Sequence, residues 1–108
     1  MQDLQPRQAA DSVRIQSLLG AARLGLGMPG EAEAGAREAV TEAERALGPA
    51  HYLTLAAGTL LGSAIARQGR HDEARDQLQA NAEAWLDHFG EDHPRTIAAQ
   101  EELARVSS

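Results

Sequence analysis

A gapless repeat of 42 residues constrains this chain more than any other feature. Leu18-Leu19-Gly20-Ala21-Ala22 returns as Leu60-Leu61-Gly62-Ser63-Ala64, Gly27 as Gly69, and Glu31-Ala32 as Glu73-Ala74. Further along, Gly48 returns as Gly90, His51 as His93, Thr54 as Thr96, Ala56-Ala57 as Ala98-Ala99 and Leu61 as Leu103. A fixed period of this length describes an array in which each unit buries its apolar face against its neighbours. Such an array supplies a binding surface and requires no chemistry of its own.

Composition narrows what the units are. The 108 residues make one small domain, and 43% are hydrophobic with one Trp, one Tyr and one Phe. The core must therefore be mostly Ala and Leu, both strong helix formers. β-Branched residues are few and apolar/polar alternation is absent, so no strand is expected. The net charge of −6 argues against a nucleic-acid backbone as partner. All ten basic residues are Arg, which with the abundant Ala and Gly fits a high-GC bacterial genome. With no Cys, thiolate metal sites, disulfides and thiol nucleophiles are excluded. Residues 1–10 lack the apolar run of a signal peptide, and no segment approaches the ~20 apolar residues of a membrane span. A cytoplasmic location away from membranes is the default expectation.

Residues 1–7 are polar, contain Pro6 and read as a loose lead-in. A first helix is expected from about Gln8 to Leu26, with Val13, Leu18, Leu19, Ala22 and Leu24 as its apolar positions. Gly25, Gly27, Pro29 and Gly30 end it. A second helix, about Glu31 to Ala46, carries Ala32, Ala36, Ala39, Val40, Ala43 and Leu47 at steps of three and four, hence on one face. Gly48-Pro49 breaks the chain. A third helix spans about His51 to Gln68, and a fourth about His71 to His88 with a stripe of Leu78, Ala82, Trp85 and Phe89. After Gly90 a fifth runs to about Val106, with Asp92 as its expected N-cap and Pro94 in its first turn. The expected fold is all-α: a solenoid of antiparallel helix pairs, about five helices in one domain, in repeats of about 8–48 and 49–90 with a half repeat at 91–108.

Within each unit Leu19, Gly20, Gly27 and Ala32 keep the same steps as Leu61, Gly62, Gly69 and Ala74. This pattern resembles the tetratricopeptide repeat, whose ordinary unit is about 34 residues. The longer unit is similar to the kinesin-light-chain type, on Gly90-Glu91-Asp92-His93-Pro94 with Thr96, and less fully on Gly48-Pro49-Ala50-His51 with Thr54. Gln68-Gly69-Arg70 before Asp72-Glu73-Ala74 resembles the family's inter-helix turn. Pro29 and His71 depart from the family's usual aromatic residue, and Asn81 stands where Ala39 keeps the small one. Ser17 and Thr59 stand where the family often has Asn on the groove-facing helix.

The resemblance implies a non-enzymatic interaction scaffold that holds a protein or peptide on its concave face, with no cofactor. It places Arg14, Ser17, Ala21 and Leu24, then Ala56, Thr59, Ser63 and Arg67, then Ala98, Glu101 and Arg105 on that face. Arg14, Arg67 and Arg105 either meet acidic groups on a partner or are ordinary solvated side chains, and the sequence leaves both open. The Lys/Asn set of carboxylate-clamp members is missing. The alternative implied reading is a C-terminal regulatory arm of a larger bacterial signalling ATPase or transcription regulator. His51 and His93 sit one unit apart and read as turn residues rather than metal ligands. Glu42, Glu44, Glu91, Asp92, Glu101 and Glu102 read as solvated and not as a catalytic carboxylate pair. Trp85 continues a core stripe, with an exposed interface anchor as the alternative. An array of two and a half units leaves unfinished ends, so self-association through one of them is expected, most simply as a twofold homodimer.

Overall fold

A computed structural model of the chain describes residues 5–108. Five α-helices follow one another: α1 (Pro6–Gly25), α2 (Pro29–Leu47), α3 (Tyr52–Ala66), α4 (His71–Phe89) and α5 (Pro94–Ser107). No strand occurs among the described residues. The expected lead-in over residues 1–4 lies outside them, while Pro6 and Arg7 already belong to α1. The helix starts there because Pro suits the first helical position and the Gln8 side chain accepts from the Gln5 backbone N–H at 3.1 Å.

The turns recur with the repeat. The four glycines at positive φ are Gly27, Gly48, Gly69 and Gly90, spaced 21 residues apart, one after each of the first four helices. Half the sequence period is therefore itself a structural period: one helix and one turn. Gly48 (φ 95°, ψ 158°) and Gly90 (φ 86°, ψ 163°) occupy a region that residues with a Cβ essentially never enter. Each precedes a histidine cap. His51 Nδ1 accepts from the Leu53 amide and His93 Nδ1 from the Arg95 amide, both at 3.0 Å. The N-cap of α5 is thus His93 and not Asp92, because the imidazole reaches the free amide two residues on.

Each helix packs on the next, and the alternate helices α1, α3 and α5 also touch in series, whereas α2 and α4 do not. The odd-numbered helices form an inner row and the even-numbered ones an outer row, as antiparallel pairs joined by three- or four-residue turns must. Ala32, Ala36, Ala39 and Ala43 are fully buried along α2, which packs on α1 and α3. The core has three parts: an Ala-rich first part around Val13, a middle around Leu61 and Ile65, and a third around Trp85. All three aromatic residues meet in the third, where the Tyr52 and Trp85 rings stand edge to face at 5.3 Å and His93 stacks on Trp85 at 6.0 Å. Trp85 is fully buried, as its stripe suggests.

The first helix departs from expectation. Of its five apolar positions only Val13 is buried; Leu18 is 67% and Leu19 48% exposed, although Leu61 in α3 is 4% exposed. Leu61 lies under α2, and no described element lies in the equivalent place against α1. The same residue in the same frame is core or surface according to its neighbour.

Candidate functional site

The inner row of helices forms a groove of about 490 Å³ between α1 and α3, with Arg95 of α5 at its far end. A second cavity of about 450 Å³ lies among α3, α4 and α5, and Ser63 lines both. The small residues at repeat positions produce this hollow. Ala21 and Ala56 leave room on the facing helices, while Leu24, Leu53 and Leu60 supply apolar walls.

Most of the residues expected to meet a partner fall in these two hollows. Arg14, Ser17, Ala21, Leu24, Ala56, Thr59 and Ser63 line the groove, and Ser63, Arg67 and Arg105 line the second cavity. Glu101 and Ala98 line neither and are exposed. Glu102, one residue further along α5, turns into the second cavity instead, where the Ser63 hydroxyl donates to it and Arg105 pairs with it at 2.8 Å. Arg14 pairs along its helix with Asp11 at 3.0 Å. Among the described residues Arg67 makes no ion pair.

Thr59 serves the interior as well as the groove. Its hydroxyl donates to Asn81 Oδ1 at 2.6 Å and accepts from Trp85 Nε1 at 3.1 Å, and Asn81 Nδ2 donates to the Leu55 carbonyl at 2.9 Å. The Asn in place of a small residue is thus a satisfied buried amide.

Sequence reasoning did not name Tyr52, Leu53, Leu60, Leu18 or Arg95 as groove residues. Arg95 donates from Nε to the Tyr52 hydroxyl at 2.9 Å, with its guanidinium 5.5 Å from the centre of that ring. Arg95 belongs to the half repeat and Tyr52 to the full one, so no single-unit frame brings them together. The charge balance of the two hollows is unlike that of the chain. Among the described residues, five Arg line them (Arg14, Arg67, Arg75, Arg95 and Arg105) against Glu102 as the one acidic side chain.

On the outer side, Glu33 of α2 collects charged donors. Arg70, at the α4 N-cap, reaches it at 2.7 Å, Arg37 at 2.7 Å and the Gln68 amide at 2.7 Å, while Glu73 of α4 bonds Arg70 at 2.8 Å and Arg37 at 3.0 Å. The Arg70 guanidinium foremost holds the Glu33 carboxyl down at about 2, and it lowers Glu73 as well. These pairs link two outer helices whose backbones do not approach one another.

A layered array of helix pairs with a small-residue inner row and a turn glycine per helix defines an α-helical repeat scaffold. Residues 55–107 match the tetratricopeptide repeat family, and the chain is a tetratricopeptide repeat protein. No curated protein and no solved structure matches it significantly. Repeats of this family generally mediate protein–protein interactions and are non-catalytic scaffolds. No helix among the described residues is long and apolar enough to cross a membrane.

Proposed function

We propose that this chain is an interaction module whose groove between α1 and α3 holds a segment of a partner protein, with an apolar centre and acidic flanks. The charge inversion carries the reading: a protein of net charge −6 lines its inner hollows with five Arg and one acidic side chain. An apolar stretch fits against Ala21, Leu24, Ala56 and Leu60. Carboxylates at its ends meet Arg14 or Arg95 on one side and Arg67, Arg75 or Arg105 on the other, as charge-assisted hydrogen bonds.

The 42-residue period and the paired His51 and His93 caps support the kinesin-light-chain type of array, with units at about 8–48 and 49–90 and a half unit after 91. Peptides selected from a random display library on the purified protein test the function. Binders enriched in acidic residues around an apolar centre are expected. Ala21→Trp, which fills the groove from an exposed position, should abolish their binding, and Arg67→Glu should weaken the acidic ones. Glu38→Arg on the outer face of α2 should leave binding unchanged. Peptides that ignore Ala21→Trp would refute the groove as the site.

A further inference from the structure

The second cavity gathers more positive charge than the chain's own acids meet. Arg67 enters it from the C-cap of α3, His71 and Arg75 from successive turns of α4, and Arg105 from α5. Glu102 is the one acidic side chain among its lining residues, and it is already engaged: it accepts from the Ser63 hydroxyl and pairs with Arg105 at 2.8 Å, with 15% of its side chain exposed. Among the described residues Arg67 and His71 make no ion pair, and Arg75 pairs with Asp72 at 3.4 Å, a side chain that is 94% exposed. Repeat position does not call for these cations. Arg67, His71 and Arg75 stand where the first unit has Gly25, Pro29 and Glu33, and that unit forms the same helix pair without them.

We propose that this cavity receives a phosphorylated side chain of the partner segment. The inference rests on the reading of the inner hollows as partner sites and names the acidic group that one of them takes. A carboxylate is planar and offers two oxygens. A phosphoryl group offers three strong acceptor oxygens around a tetrahedron and carries a charge of about −1.5 to −2 at neutral pH. It can therefore meet donors arriving from three helices at once, and its charge matches Arg67 and Arg75, the two guanidinium groups that Glu102 does not engage. Arg105, held by Glu102, closes the α5 side. The volume of about 450 Å³ has room for a whole side chain and not merely a bare ion. Ser63 lines both hollows, so a segment lying in the groove reaches the cavity past a small residue.

Amide chemical-shift titration of the whole chain tests it, with N-acetyl-O-phosphoserine methylamide as the probe at about pH 7.5, where a phosphomonoester is a dianion. Saturable binding is expected, tighter than that of inorganic phosphate and about tenfold tighter than that of N-acetylaspartate methylamide. Arg67→Gln should weaken the phosphoserine probe about tenfold by removing a charged donor. Arg67 is exposed and makes no ion pair, so the fold does not depend on it. Glu102→Gln keeps an acceptor for Ser63 and removes a like charge from the edge of the site, so it should tighten binding about fivefold. Equal binding of the aspartate probe, tighter binding of inorganic phosphate than of phosphoserine, or an affinity unmoved by Arg67→Gln overturns the proposal. So does equal weakening by Arg45→Gln, which lines neither hollow. Failure here leaves the groove reading standing, because display peptides carry no phosphate. A groove that fails leaves this titration unaffected, because the probe is too small to need it.

Discussion

Thr59 Oγ1 donates to Asn81 Oδ1 across 2.6 Å, and the same oxygen accepts from the buried Trp85 indole. One hydroxyl thus satisfies two groups of α4 from a position on α3. Thr59→Val keeps the shape and strands both the amide oxygen and the indole N–H, each costing about 1–3 kcal/mol when buried without a partner. The expected loss is about 2 kcal/mol or more in denaturant unfolding. Asn81→Ala should cost less, about 1 kcal/mol, because the Thr59 hydroxyl also bonds the Leu55 carbonyl at 3.1 Å and retains that acceptor. In the double variant the losses should not add, since Asn81 is no longer there to be stranded.

Gly90→Ala and Gly25→Ala separate two uses of glycine. At Gly90 the backbone stands at φ 86° and ψ 163°, and there is open space around a Cβ, so the cost is conformational alone. About 1–3 kcal/mol of destabilisation is expected. Gly25 closes α1, has open space and no positive φ, so alanine there should be neutral or stabilise by up to about 1 kcal/mol through helix propensity. Thermal melts of the two variants should move in opposite directions or leave Gly25→Ala unmoved.

Gly62 is glycine for a third reason. A Cβ there runs into the branch of Leu78, which is fully buried on α4. Gly62→Ala should therefore destabilise by about 1–3 kcal/mol through overpacking. Adding Leu78→Ala should recover part of the loss, because the smaller side chain makes the room; equal or greater destabilisation in the double variant contradicts the packing argument. Chemical denaturation of the two singles and the double reads this directly.

The helices and their order were legible because Ala32, Ala36, Ala39 and Ala43 keep helical spacing and a glycine punctuates each turn. The groove was largely legible by repeat position, as Arg14, Ala21, Ala56 and Ser63 attest. What escaped depends on neighbours. Leu19 and Leu61 are one residue type in one frame, yet only Leu61 has a helix over it. Glu102 rather than Glu101 enters the second cavity, because Ser63 of another unit captures its carboxylate. Asn81 looked like a departure from a small residue until Thr59, 22 positions away, supplied its partner. No helical period within one element encodes that register.

Acid should weaken the join between the outer helices. The Glu33 carboxyl is held at about 2, chiefly by its hydrogen bond with Arg70, against an ordinary value of 4.5. A depressed carboxyl contributes stability that is complete above the unfolded-state value and lost as pH falls through the folded one. The window is therefore roughly pH 4.5 down to 2. Glu33 is only 12% exposed, but Arg37, Arg70 and Glu73 are 41–49% exposed, so solvent screens the network. The discounted contribution is about 1 kcal/mol, or roughly 4–8 °C in Tm for a domain near this size. Glu33→Gln should melt lower than wild type by that margin at pH 7. The gap should close as pH drops toward 2, where the wild-type carboxyl takes up its proton, and narrow in high salt at neutral pH. A gap independent of both pH and salt would place the effect in packing rather than in the charges.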